Sequence, residues 1–198
     1  MSTSMQENIP SGVSFPVKLQ DGKLLKAVGL VKLAMSIKLY AFGIYADDEK
    51  LKELNMKSKM NGKAPSKPTK EMYQMMIDSD LGMTVRSVIV ASGFSMTMVR
   101  NYFQEGLGAA IKKLTDAKNK ELPEKIMDKA SDAIKLTPGS VIEISRLPGY
   151  VQFVTSENIV SRVESELLCR AYVYMYLGED ASIKEAKEKF GASMLSMF

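Results

Sequence analysis

The stretch Ile37-Lys38-Leu39-Tyr40-Ala41-Phe42-Gly43-Ile44-Tyr45 decides the fold. Side chains alternate across a β-strand, so Ile37, Leu39, Ala41 and Tyr45 take one face, and Tyr40, Phe42 and Ile44 the other. Both faces are mostly apolar, which predicts cover on both sides of this strand. Upstream, Leu24 to Leu33 is a second apolar run with β-branched content. Before it, Phe15-Pro16-Val17-Lys18-Leu19 alternates and Gln20-Asp21-Gly22-Lys23 reads as a turn. Downstream, Asp47-Asp48 opens a short helix through Leu54, and Thr84 to Val90 is the next strand.

A long amphipathic helix follows. Val99, Tyr102, Phe103, Gly106, Leu107, Ala110, Ile111 and Leu114 recur at helical spacing, with Ser95 or Thr97 as its cap. A weaker helix is predicted over 121–134, with Pro123 near its first turn. Val141 to Ser145 and Tyr150 to Thr155 form a hairpin across Leu147-Pro148-Gly149, and Ile159 to Val163 adds a strand. Two helices close the chain. The first carries the stripe Val163, Leu167, Leu168, Ala171, Tyr174 and Met175 and ends at Gly178. The second opens on the capping box Ser182-Ile183-Lys184-Glu185. Strands early, helices late and no strict βαβ alternation argue for an α+β fold: a large antiparallel β-sheet packed against a layer of α-helices. Short connections favour meander pairing.

Composition narrows the chemistry. The 198 residues are 45% apolar and 25% charged, as in an ordinary globular domain. We expect a single domain over 11–198 behind a polar, disordered segment over 1–10. No histidine is present and Cys169 is the lone cysteine. That removes imidazole acid–base chemistry, His-activated nucleophiles, most transition-metal sites and any internal disulfide. No cofactor is expected. The net charge of +4 owes much to Met56–Lys70, which holds five lysines without an acid and reads as a solvated loop. It lacks the interleaved aromatics of a nucleic-acid surface, so no nucleic-acid partner is expected. No apolar run reaches membrane-span length. The N-terminus has neither signal-peptide nor transit-peptide character, which points to the cytoplasm if the chain is full length. Fifteen methionines suit either an interior that wraps a flexible apolar ligand or compositional drift.

Two side chains stand out. Tyr40 sits mid-strand among large apolar residues, where a buried hydroxyl must find a partner. Arg86 lies in a strand with Thr84, Val88 and Val90 on its face, and a buried guanidinium must be paired. Each has a plain structural reading and a ligand-binding one. The acidic pairs Asp47-Asp48 and Glu179-Asp180 read as helix-start residues, and Cys169 as a small core residue. No phosphate loop is present.

Several runs together resemble the chalcone-isomerase-fold family, in its plant fatty-acid-binding, non-catalytic branch. They are Gly12-Val13-Ser14-Phe15-Pro16, Val28-Gly29-Leu30, the stretch from Ile37 to Asp47, Val85-Arg86, Val99-Arg100-Asn101 with Phe103, Pro138-Gly139-Ser140, and Glu166 to Ala171. Leu177 to Asp180 and Lys184 to Glu188 fit the same branch, so the resemblance spans nearly the whole chain. It implies an open-faced β-sandwich enclosing an elongated apolar cavity, a long-chain fatty acid as ligand, a monomer, and a place in plant lipid metabolism in the plastid stroma of the chloroplast. In that branch an arginine and the tyrosine matching Tyr40 hold the carboxylate. Here Gly29-Leu30-Val31-Lys32 puts Val31 at the arginine's position. Lys32 and Arg86 remain as candidate cations. The true isomerases add a tyrosine and an asparagine on the following helix, where Thr97 and Gln104 stand here. Arginine, tyrosine and asparagine being absent, efficient cyclisation is not expected. The alternatives are a weak or vestigial chalcone isomerase, or a non-enzymatic auxiliary protein of flavonoid biosynthesis.

Overall fold

The computed structural model describes residues 6–8, 12–33, 37–58, 65–156 and 158–197. Its centre is a six-stranded antiparallel sheet in simple meander order. The strands are β3 (Leu24–Leu33), β4 (Ile37–Ala46), β5 (Met83–Ile89), β6 (Val141–Leu147), β7 (Tyr150–Thr155) and β8 (Asn158–Glu164). A separate pair, β1 (Gln6–Asn8) and β2 (Ser14–Pro16), lies antiparallel near the N-terminus. Gln6–Asn8 thus form a strand where the sequence reading expected disorder; the rest of 1–11 lies outside the described residues.

Among the described residues, six helices supply the other layer: α1 (Asp48–Ser58), α2 (Lys70–Asp78), α3 (Met96–Thr115), α4 (Glu121–Met127), α5 (Glu166–Leu177) and α6 (Lys184–Leu195). Antiparallel sheet and helix layer confirm the α+β architecture. α3 crosses α5, α5 lies on β6 and β7, and α6 lies on β3. Tyr40, Phe42, Ile44, Val85 and Ile89 face these helices in the main core, while Ala41 faces away. That far side of β4 is covered as its two-faced apolarity predicts. Phe15 of β2 is fully buried against Val28 and Ala41, and the Tyr45 hydroxyl donates to the Pro16 carbonyl at 2.7 Å.

Local chemistry accounts for the element ends. Ser95 rather than Thr97 caps α3, accepting from the Met98 amide, and Ser165 caps α5 through the Leu168 amide. Asp47 accepts amide hydrogens of Glu49 and Lys50 at the start of α1. Four expectations need correcting. The run read as loop from Met56 to Lys70 begins inside α1, which continues past Leu54 to Ser58, and it ends at α2, capped by Thr69 accepting from the Met72 amide; residues 59–64 lie outside the described set. The helix predicted to reach Ile134 stops at Met127, because the Ala130 amide turns back to Met127 and Ser131 takes the Ala133 amide. No capping box forms at α6: its N-cap is Ile183, and the Ser182 amide is spent on Met175 O at the end of α5. Gly178 ends α5 in extended rather than left-handed backbone, with φ −74°. A β-carbon there would meet Tyr174 O at 2.6 Å, so glycine serves close approach.

Arg146 is the largest fully buried side chain. Its guanidinium donates to the carbonyls of Leu81, Ile77 and Met76, each at 2.8 Å. Carbonyls at a helix C-terminus lack intrahelical donors, and here a cation fills that role. Burial pulls its pKa down to about 10, so it stays charged at neutral pH.

Candidate functional site

Tyr40 lies where the upper ends of β4 and β5 meet the N-terminal half of α3. Its cross-strand partners are Val31 on β3 and Ile89 on β5. Its ring stacks on Phe94 with centroids 5.8 Å apart and meets the Tyr102 ring edge-on at 6.2 Å. Phe42, one step along the same face, lies 6.5 Å away and leads on to Tyr176, then Tyr172. Such offset and edge-on geometries suit aromatic quadrupoles. The row of rings thus runs beneath the sheet from Tyr102 to Tyr172. Tyr172 donates to Ile144 O at 2.6 Å.

Between Tyr40, Ile89, Phe94, Val99, Tyr102 and Phe103 is a residual cavity of ≈ 10 Å³, about the space of one water. Ser87 adds a hydroxyl at its wall. Ligand pockets usually run from about 300 to 1,000 Å³. The elongated hollow implied by the resemblance is therefore shut: side chains fill it almost completely. Burial, then the neighbouring phenols of Tyr102 and Tyr176, push the Tyr40 pKa well above its usual value. Burial does the same for Tyr172 and Tyr176. These groups are hydrogen-bonding phenols, not phenolates.

The other predicted site residues do not join Tyr40. Arg86 is on the opposite sheet face and pairs with Glu143 at 2.6 Å. Alternation along β5 forbids it from turning under the sheet, so its structural reading holds. Lys32 is exposed at the end of β3. A register shift there sets Val31 opposite Tyr40 and Lys32 opposite Lys38, leaving the ammonium outside the lining. Thr97 sits in the first turn of α3, its amide bound to Asp132 Oδ1 at 3.0 Å. Gln104 faces a cleft between α3 and α4. The residues that line the seam with Tyr40 from α3 are Val99, Tyr102 and Phe103. All three belong to the apolar stripe read from the sequence, but the stripe signalled only core. Phe94, in the turn before α3, had no periodic signal.

Larger hollows are open clefts. One of ≈ 620 Å³ between α2, α3 and α5 carries Lys70, Lys113, Arg170 and Lys187. Each is engaged: with Glu179, Asp180, Asp78 and the Gly178 carbonyl respectively. Glu179 and Asp180 thus serve as inter-helix partners rather than caps. Cys169 is buried, its thiol pushed up to about 11, and remains a core residue. No helix among the described residues is long and apolar enough to cross a membrane.

Comparison with known proteins completes the picture. The chain is 52% identical over 204 residues to "Chalcone isomerase-like protein 1" of Humulus lupulus, covering 100% of this chain and 94% of the relative. The chain belongs to the chalcone isomerase-like family. It is also 35% identical over 186 residues to "Fatty-acid-binding protein 1" of Arabidopsis thaliana, covering 91% of this chain and 67% of that protein. A crystal structure of an Arabidopsis thaliana fatty-acid binding protein superposes with a TM-score of 0.87 at 32% identity, covering 98% of each chain. No protein-family model matches the sequence. The meander sheet under a helical layer is thus the fold of these relatives.

Proposed function

We propose that this protein binds a long-chain fatty acid between sheet and helices without catalysing a reaction on it. The observation that carries the reading is the Tyr40 phenol, buried at the sheet–helix junction in a seam whose other polar side chains are Ser87 and Tyr102, in a chain whose relatives include named fatty-acid-binding proteins. The head group meets Tyr40 and Tyr102, and the tail runs between β4, β5 and the helices. Because the seam is closed, the tail makes its own room. Seven methionines are buried among the described residues, and their unbranched side chains repack cheaply. Each buried methylene contributes about 0.8 kcal/mol, so a dozen return about 10 kcal/mol against opening and association costs of similar size. Affinity should therefore climb by roughly fourfold per added methylene until the space is filled.

The chain is not an isomerase on this reading. Among the described residues the lining has no cation, carboxylate or imidazole, and burial holds the Tyr40 phenol protonated, so no base takes a proton and only neutral hydroxyls face a developing negative charge. Calorimetric titration with fatty acids of increasing length tests the carrier; no saturable binding at any length would reject it. Loss of chalcone absorbance should stay at the uncatalysed rate, and a protein-dependent rate would instead support a vestigial isomerase.

A second reading is a non-enzymatic auxiliary protein of flavonoid biosynthesis, in keeping with a relative named only for its likeness to chalcone isomerase. Solvent extraction of the purified protein separates the two, because only a carrier retains exchangeable fatty acid. We extend the first reading to plant lipid metabolism in the plastid stroma, which organelle fractionation tests, and to a monomer, which light scattering tests.

A further inference from the structure

The charge around Tyr40 restricts which form of a ligand this site can hold. Among the described residues, every side chain lining the seam is uncharged. The cross-strand neighbour of Tyr40 on β3 is Val31, only 9% exposed and in the same core cluster. From β4 comes Tyr40, from β5 Ser87 and Ile89, from α3 Tyr102, and from α5 Tyr176 behind Phe42. The charged groups on those elements are committed elsewhere or lie outside. Arg86 is paired with Glu143 on the far face. Arg100 donates to Ala130 O at 3.4 Å. Arg170 holds Asp78. Lys32 is exposed, and half-buried Lys38, beside it across the register shift, is absent from the lining. The remaining charges of α3 and α5, Glu105, Lys112, Lys113 and Glu166, are at or near the surface and line no part of the seam.

An ionised carboxylate placed here would exchange water for neutral hydroxyls with no counter-charge, which is strongly unfavourable. A neutral oxygen would lose far less, since phenol and serine hydroxyls serve it as donors and acceptors. We infer that the Tyr40 site selects neutral-headed chains: a fatty acid in its protonated form, and equally a long-chain alcohol. The inference rests on the carrier reading above and specifies its ligand.

Calorimetry on the full chain with myristic acid and with tetradecanol, each across about pH 5.5 to 8.5, tests it. The chain has no histidine, so no side chain titrates with an ordinary pKa in most of this window. Myristic acid should lose close to tenfold in apparent affinity per pH unit, because only its protonated form binds. Tetradecanol should bind with nearly constant affinity. At pH 8 a Val31→Arg variant, placing a guanidinium opposite Tyr40, should gain at least tenfold for myristate and lose that pH slope. The wild-type profiles stand alone should this variant fold poorly. Myristate binding equal at pH 6 and 8, or tighter than tetradecanol at pH 8, would overturn the inference while leaving the carrier intact. Absence of binding by both ligands at every pH would overturn the carrier reading and the inference with it.

Discussion

At the scale of single residues, the site reduces to one hydroxyl with aromatic walls. Tyr40→Phe keeps the ring that stacks on Phe94 and removes only the polar atom. It should weaken fatty-acid binding about fivefold, one hydrogen bond's worth, with little change in thermal stability. Unchanged affinity in calorimetry would take Tyr40 out of the site. Two glycines make a second, contrasting test. A β-carbon at Gly29 would lie 2.3 Å from Cζ of the buried Phe42 ring, which has nowhere to go. At Gly106 it would meet Met175 Cε at 2.6 Å, the free end of a flexible side chain. Gly29→Ala should cost about 1–3 kcal/mol and Gly106→Ala well under that, read from urea midpoints. The sequence made Tyr40 conspicuous because a phenol in a wholly apolar strand needs a partner. Cationic character drew attention to Lys32 and Arg86, and the resemblance to Thr97 and Gln104, but neither signal says whether a side chain lines the seam. The register shift at Val31/Lys32 has no signature in the sequence.

Elements are held by a few polar ties. Arg146 on β6 caps α2 through the Met76 and Ile77 carbonyls and ties in the Leu81 carbonyl beyond it. Arg146→Met should take three donors away, leaving Met76 O only the Ser79 hydroxyl, and cost about 3 kcal/mol or more in urea denaturation. Arg146→Lys should recover little, since one ammonium cannot match the forked geometry. Lys26 on β3 holds Asp48 at the start of α1, 2.7 Å apart, with the lysine side chain 7% exposed. The hydrogen bond from Lys26 keeps the Asp48 pKa below the ordinary 3.8. A carboxylate depressed in the folded state stabilises fully above its unfolded pKa and loses that contribution as pH falls through the folded value. Asp48→Asn should therefore cost about 1–2 kcal/mol near neutrality and progressively less as pH falls below about 4. Strands with two apolar faces and the capped, amphipathic α3 were legible because local pattern and tertiary burial agree. α2 was missed although Thr69 and the spacing of Met72, Tyr73, Met76 and Ile77 carry a helix signal, since the lysine-rich run before it overshadowed nine short residues. The absent capping box at Ser182 is the opposite case, a correct local motif overridden when the preceding helix claimed its amide.

Across the whole molecule, stability should be flat where side chains do not titrate and fall where buried phenols must ionise. No histidine is present, and burial raises the pKa of Tyr40, Tyr172 and Tyr176 above 10. A raised folded pKa stabilises fully below the unfolded value, so this contribution erodes as pH climbs past about 10. Urea midpoints should be constant from about pH 6 to 8, begin to fall as the unfolded thiol of Cys169 ionises, and drop further above 10, with phenolate absorbance from the buried tyrosines appearing together with unfolding. Phenolate formed while the fold persists would contradict that burial. The same shut interior that protects these phenols is what a ligand has to part. The most direct test is an isotope-filtered NMR experiment on labelled protein with a bound long-chain fatty acid. Nuclear Overhauser contacts should run from the ligand's head end to the Tyr40 and Tyr102 rings, and from its tail to side chains between sheet and helices such as Phe42 and Phe103. Contacts confined to the outer clefts or the far sheet face, with none to Tyr40, would contradict the account.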